Sequence, residues 1–290
     1  MQILDGNKLS KQIREEIKQE VDAILNSGKR APHLAAVLVG DDPASQSYVR
    51  NKIKDCEAVG FKSTLHRLSS DISEKELLDL INKLNTEDNL DGFIVQLPLP
   101  KHIDQERVTM AINPDRDVDG FHPTNFGKMA LDMDAYLPAT PAGIMEMLER
   151  YNIDTKGKHC VIIGRSHIVG RPMSILMGRK TTPGNSTVTL CHSATPNVEE
   201  FTKKADIIIT ALGVPNFLKE EMVKEGAVII DVGISRVDDD STKKGYKLVG
   251  DVAYEQVKNK ASYITPVPGG VGPMTRSMLL KNTLHSYNKS

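Results

Sequence analysis

The sequence predicts an α/β protein of two domains, an N-terminal α/β domain followed by a C-terminal Rossmann-like, doubly wound domain. Three observations lead there. Short apolar runs alternate with helix-spaced apolar residues along most of the chain, the pattern of parallel strands covered by helices. The run Val161-Ile162-Ile163 meets a glycine turn and then a helix start, as nucleotide-binding βαβ units do. The chain has 290 residues, enough for two cores.

Leu9, Ile13, Ile17, Val21, Ile24 and Leu25 recur at helical spacing before Gly28, which predicts an amphipathic first helix. Leu34 to Val39 reads as a buried strand ending at Gly40. Asp42 as N-cap and Pro43 in the first turn open a helix that runs to Val59-Gly60. Phe61 to Leu68 is a strand. Ser73 and Glu76 form a capping-box signature ahead of Leu77, Leu80, Ile81 and Leu84. Gly92 to Leu97 is a strand stopped by Pro98 and Pro100, and Asn113 to Pro123 is a turn-rich, charged stretch. Thr140-Pro141 caps a helix to about Tyr151. Strands are expected at Cys160–Ile163, Thr187–Cys191, Ile207–Ala211, Val228–Val232 and Tyr263–Val267, with helices between most of them. A last helix covers Pro273 to His285. The expected division is 1–122 with 273–290 as one domain, 139–272 as the other, and 123–138 as a linker region.

Lys+Arg is 37 and Asp+Glu is 38, so the net charge is -1, which argues against nucleic acid as a partner. The three cysteines, Cys56, Cys160 and Cys191, are far apart and form no C-x-x-C pair, so neither a disulfide framework nor a metal site is expected. Met1 to Ser27 has no unbroken apolar segment and carries acidic residues, unlike a targeting peptide. No apolar run is long enough for a bilayer, so no membrane partner is expected and the chain is read as cytoplasmic.

The glycine turn is Gly164-Arg165-Ser166-His167-Ile168-Val169-Gly170. Its glycines are six apart, so it is not G-x-G-x-x-G, and by itself it fits an ordinary tight turn as well as a pyrophosphate cradle. The next strand ends Cys191-His192-Ser193 with no carboxylate. An NAD site usually places an acid there for the ribose 2′-OH, whereas an NADP site supplies a cation for the 2′-phosphate. Arg165 can be that cation, forked toward the phosphate, or a surface arginine.

Tyr48 and Lys52 are four residues apart, on one face of their helix. That pair suits proton chemistry, and equally an amphipathic edge. Gln96 ends a strand, where ligands of parallel sheets bind, and a glutamine there can orient a lysine and favour its uncharged form. Asp117-Val118-Asp119-Gly120 adds carboxylates on a loop, or is a turn. It lacks the other ligands of a calcium loop.

Tyr48-x-x-x-Lys52, Val95-Gln96-Leu97-Pro98-Leu99-Pro100, Asp117-Val118-Asp119-Gly120, Gly164-Arg165-Ser166-x-Ile168-Val169-Gly170-x-Pro172-Met173 and Pro266-Val267-Pro268-Gly269-Gly270-Val271-Gly272-Pro273-Met274-Thr275 occur in this order. Together they resemble the bifunctional methylenetetrahydrofolate dehydrogenase/methenyltetrahydrofolate cyclohydrolase family over essentially the whole chain. The resemblance implies NADP-dependent oxidation of 5,10-methylenetetrahydrofolate, then hydrolysis of the methenyl product to 10-formyltetrahydrofolate in the same pocket. Lys52 would be central to the chemistry, Tyr48 would line and orient the folate, Gln96 would tune Lys52, and Asp119 would hydrogen-bond the pterin. Pro268, Gly269 and Gly270 would also face the folate, with the glycines between it and the cofactor. Gly164, Arg165, Ser166, Ser193 and Ile234 would hold NADP. The first domain would carry the folate chemistry, the last helix would return to it, and the protein would be a homodimer. Arg116 stands where Lys is common in the family and keeps the charge, and the loop Thr181 to Ser186 is expected to be longer than in some relatives. The rival readings are a monofunctional NAD(P)-dependent methylenetetrahydrofolate dehydrogenase, an unrelated two-domain dehydrogenase, and a non-catalytic ligand sensor.

Overall fold

In chain order the computed structural model, which describes residues 1–242 and 245–289, opens with strand β1 (Gln2–Ile3), helix α1 (Gly6–Asn26) and strand β2 (His33–Val39). Then come α2 (Pro43–Ala58), β3 (Lys62–Leu68), α3 (Glu74–Asn85), β4 (Gly92–Val95), α4 (Gln105–Ala111), α5 (Pro123–Ala130) and α6 (Ala139–Arg150). The second half runs β5 (His159–Ile163), α7 (Gly170–Gly178), β6 (Thr187–Cys191), α8 (Val198–Thr202), β7 (Ile207–Thr210), β8 (Val228–Asp231), β9 (Ser235–Asp238), β10 (Tyr246–Val249), α9 (Tyr254–Val257), β11 (Tyr263–Ile264) and α10 (Val271–Lys289).

The chain divides into two compact units. One holds Met1–Ser10 and Thr140–Thr275, and the other holds Lys11–Ala139 and the chain from Arg276 onward. The last helix therefore begins in the first and continues in the second.

The unit that starts at Lys11 is built on a three-stranded parallel sheet, ordered β3-β2-β4. The central strand His-Leu-Ala-Ala-Val-Leu-Val is buried along its whole length, as a strand covered on both faces must be. Ala35, Val37 and Val39 alternate onto one face with Phe93 and Val95, and meet Leu77, Ile81 and Leu84 of α3. The helix starts match the sequence expectations. Asp42 accepts the Ser45 N–H at 2.7 Å with Pro43 in the first turn of α2. Ser73 and Glu76 bond each other's backbone, the Glu76 N–H to Ser73 Oγ at 3.2 Å and the Ser73 N–H to Glu76 Oε2 at 3.0 Å.

The other unit has a six-stranded parallel sheet, ordered β1-β11-β8-β7-β5-β6. From β5 the chain steps to β6 on one side, then returns past β5 to β7 on the other. That reversal makes the carboxyl ends of β5 and β7 a topological switch point, where doubly wound sheets bind ligands. Three strands were not foreseen. The residues of β1 form an edge strand only because Tyr263–Ile264 offers a partner. The antiparallel pair β9–β10 lies in a polar stretch with weak alternation. The expected strand Tyr263–Val267 stops at Ile264, ahead of Pro266 and Pro268, which have no N–H for a ladder. Among the described residues, no helix is long and apolar enough to cross a membrane.

Candidate functional site

In the unit that starts at Lys11, the candidate chemistry gathers at the carboxyl end of β4. The Gln96 N–H donates to Val37 O at 2.9 Å, which continues the parallel ladder one residue past the strand and holds the Gln96 backbone rigid. Its side-chain Nε2 donates to Leu97 O at 2.7 Å, so Oε1 is the atom turned outward. Lys52 Nζ donates to that Oε1 at 3.3 Å. The sequence separates these residues by forty-four positions, and the fold brings them together. Ser45, Val49 and Cys56 form the buried stripe of α2, which sets Tyr48 and Lys52 on the flank of that stripe. Tyr48 is 41% exposed and Lys52 is half-buried, so both are open to a ligand.

The Asp117–Gly120 loop is docked onto β4. The Phe93 N–H donates to Arg116 O at 3.0 Å, and Val118 is fully buried beneath Gly92. A Cβ on Gly92 would lie 2.3 Å from Val118 Cγ1, so only glycine allows this approach. Asp117 folds the loop around its carboxylate, accepting the His122 N–H at 2.7 Å, the Phe121 N–H at 3.2 Å and Asn125 Nδ2 at 2.9 Å. Burial pushes its carboxyl up to about 6, against those bonds. Asp119 is left half-buried and lines a small crevice with Val95, Leu97 and Phe121. Asp117 lines the same crevice, but the two aspartates differ in burial: Asp117 is buried with its carboxylate bonded within the loop, whereas Asp119 is only half-buried.

One turn beyond Lys52, Asp55 is buried between two arginines. Arg14 Nη1 lies 3.3 Å from Oδ1 and Arg276 Nη1 lies 2.8 Å from Oδ2. The Arg276 contact lacks hydrogen-bond alignment, so Oδ2 meets a charge without receiving a directed bond. Burial outweighs both arginines and raises the Asp55 carboxyl. The neighbouring Cys56 thiol is pushed up to about 12 by burial and is an inert core thiol, as is Cys160.

In the six-stranded unit, the glycine turn sits at the β5/β7 switch point. Gly164 has φ +120°, and a Cβ there would lie 2.3 Å from Ala211 O. A Cβ on Gly170 would lie 1.9 Å from Gly164 O. The six-residue spacing thus has a physical reason: the turn closes on itself, with the second glycine against the carbonyl of the first. Ser166 Oγ accepts the Val169 N–H at 3.2 Å and the Gly170 N–H at 3.5 Å, closing the start of α7. Arg165 is exposed in this turn, and Ser193 is exposed just past β6. Between Cys191 and Val198 there is no carboxylate to meet a 2′-phosphate. These features fit a phosphorylated dinucleotide: a backbone cradle no Cβ could enter, an exposed guanidinium, and no opposing acid.

The glycine loop before α10 lies in the same unit. Gly269 has φ +105°, and a Cβ on Gly270 would lie 2.6 Å from Pro266 O. The Asn7 N–H donates to Gly269 O at 3.1 Å, so the loop rests on the first turn of α1, with Pro268 exposed.

Sequence reasoning gave Ile168 no role beyond its place in the glycine motif and passed over Val214. They are 40% and 48% exposed, and with Ile234, at 49%, they are large aliphatic side chains left in solvent on the turns after β5, β7 and β8. Exposed aliphatics at the ligand end of such a sheet mark an apolar ligand face. The available signal was the Leu212-Gly213 pair after the Ile207–Ala211 run, which repeats the strand-to-glycine pattern of Gly164. Among the described residues, no cluster of three or more His, Cys, Asp or Glu side chains is placed to hold a metal ion.

The catalytic domain of the tetrahydrofolate dehydrogenase/cyclohydrolase family matches residues 4–119, and its NAD(P)-binding domain matches residues 138–290. The chain is 65% identical over 284 residues to the bifunctional protein FolD of Flavobacterium johnsoniae, covering 98% of this chain and 96% of that one. Its structure resembles the bifunctional FolD methylenetetrahydrofolate dehydrogenase/cyclohydrolase of Campylobacter jejuni, with a TM-score of 0.93 at 47% identity over 100% of this chain and 99% of the other. It also resembles the Trypanosoma brucei methylenetetrahydrofolate dehydrogenase-cyclohydrolase, solved with NADP and an inhibitor, with a TM-score of 0.92 at 37% identity over 98% and 96% of the two chains. On full-length matches of this kind, the chain belongs to the tetrahydrofolate dehydrogenase/cyclohydrolase family.

Proposed function

We propose that the protein oxidises 5,10-methylenetetrahydrofolate with NADP and hydrolyses the 5,10-methenyl product to 10-formyltetrahydrofolate. The observation that carries this reading is the Lys52–Gln96 contact at 3.3 Å, in a chain that spans both domains of a dehydrogenase/cyclohydrolase family. Folate chemistry is assigned to the unit with Lys52 and nucleotide binding to the unit with Gly164.

NADP, when bound, supplies the hydride acceptor. The chain's own residues do the rest. Gly164, Arg165 and Ser166 would hold the phosphates, with Ser193 at the 2′-phosphate and Ile234 against the ring system. Asp119 would hydrogen-bond the pterin, and Tyr48 would orient the folate beside Lys52. By the resemblance, Pro268, Gly269 and Gly270 would also contact the folate. Loss of hydride leaves a positive charge shared by the two folate nitrogens that flank the one-carbon bridge. In hydrolysis, water adds to that carbon, one carbon–nitrogen bond breaks, and Lys52 moves the protons. Gln96 holds the Lys52 amine in place for this step.

A monofunctional dehydrogenase would need neither Lys52 nor its glutamine acceptor, so their pairing favours the bifunctional reading. The missing acid near Ser193 favours NADP over NAD. The reading extends to a cytoplasmic protein that is a homodimer; sedimentation of the purified protein tests the dimer, and cell fractionation tests the location. The direct experiment is hydrolysis of methenyltetrahydrofolate without nucleotide, using the unaltered protein and Lys52→Met. We expect a loss of about a hundredfold or more, with NADP still bound. Unchanged hydrolysis would remove Lys52 from the mechanism.

A further inference from the structure

Asp251 follows β10 and is fully buried, so it touches no ligand. Its carboxylate nevertheless organises the turns that a nucleotide would meet. Oδ2 accepts the N–H of Leu212 at 2.6 Å and of Gly213 at 3.1 Å, and Oδ1 accepts that of Val214 at 2.8 Å. Three successive amides converging on one carboxylate define the turn after β7, in which Gly213 has φ +71°. The same carboxylate abuts the turn after β8: a Cβ on Gly233 would lie 2.3 Å from Asp251 Oδ1. Asp231 locks that second turn to the first, accepting the N–H of Gly233 at 3.0 Å and of Asp251 at 3.0 Å on Oδ1. Asp251 is thus wedged between the turn that exposes Val214 and the turn that exposes Ile234.

The sheet order gives these two turns a place along a bound dinucleotide. The 2′-phosphate end, by the absence of an acid near Ser193 and by Arg165, belongs on the β5/β6 side. β7 and β8 lie on the opposite side of the switch point, where the other end of an extended dinucleotide must go. Resting on the NADP reading above, we infer that Asp251 is a positioning residue for the nicotinamide half of the cofactor. It sets the separation of the Val214 and Ile234 side chains that receive that ring, and it has no part in holding the 2′-phosphoadenosine half.

The test compares two probes on the purified full-length enzyme. NADP spans the whole site, whereas adenosine 2′,5′-bisphosphate fills only the phosphoadenosine end. Asp251→Asn turns one acceptor into a donor facing backbone N–H groups. KM for NADP should rise about tenfold while the inhibition constant of the bisphosphate stays within about twofold. A purely structural role would lower kcat and thermal stability with no such split. If both constants rise together, or neither moves, the inference is overturned. Gly213→Ala is the second variant, should the first fail to fold. Its Cβ would meet open space, so it disturbs only the left-handed backbone of the same turn. It should give the same split, and equal shifts for the two probes would overturn the inference. If the unaltered protein oxidises methylenetetrahydrofolate with NADP but the variants show no split, only the inference fails. If the unaltered protein shows no such oxidation, the functional reading falls and the inference with it.

Discussion

Lys52 and Gln96 meet through a single hydrogen bond of 3.3 Å, and the orientation of the Gln96 amide is held by its second bond to Leu97 O. Replacing Gln96 with Leu removes the acceptor and keeps the bulk. Nucleotide-free hydrolysis should fall at least about tenfold while the melting temperature changes little. An unchanged hydrolysis rate would show that Lys52 needs no partner. Arg165→Ala should raise KM for NADP well above any rise for NAD, because only NADP carries the 2′-phosphate. Equal losses for both cofactors would contradict the phosphate role. Asp117 makes a different prediction. It keeps its proton to about pH 6 in the folded protein and to about 3.8 when unfolded. Between these values the folded state binds more protons, so this group's contribution to stability falls as pH rises and is flat above both. The stability of the unaltered protein relative to Asp117→Asn should fall from pH 4 to pH 7 by on the order of 2 kcal/mol. Urea unfolding across that range checks it, and parallel curves would refute it.

The helix α2 carries Tyr48 and Lys52 and is anchored at both ends. At its start Asp42 caps Ser45. Near its end Asp55 pairs with Arg14 of α1 and Arg276 of α10. Arg276→Met leaves the buried Asp55 with one arginine instead of two. Removing one partner of a buried pair strands a charge, and Arg14 compensates in part, so we expect a loss of about 1–3 kcal/mol in denaturant unfolding. The double variant Arg276→Met, Asp55→Leu should recover part of that loss. If it is less stable than the single variant, the buried charge is not what the single variant exposes. The capping box of α3 is exposed and local. Ser73→Ala should cost about 1 kcal/mol and leave activity alone.

At the scale of the molecule, folate chemistry and nucleotide binding are proposed for different units, and their responses to ligand should be separable. Saturating NADP should slow amide hydrogen exchange in the turns at 164–170, 212–214 and 233–234. It should also raise overall stability, by about 2.7 kcal/mol at a hundredfold excess over Kd. No protection in those turns would place the nucleotide elsewhere.

Most of the element order was legible in the sequence, because it rests on interactions within about one helical turn or between alternate residues of a strand. Apolar spacing in α1, the Asp42-Pro43 and Ser73/Glu76 starts, and the β-branched runs are signals of that kind. The residues proposed for chemistry were legible for another reason: their motifs, read together, carry a resemblance that none carries alone. What only the tertiary structure decided is which distant segments become neighbours. The β5/β7 adjacency sets Ala211 against Gly164 and leaves no room there for a side chain. The Asp251 carboxylate reaches turns more than thirty-five residues away in the chain. Gln2–Ile3 becomes a strand only when β11 lies beside it. Strand order and buried carboxylate hubs depend on contacts whose partners are far apart in the chain, and local periodicity holds no record of which partner will be there.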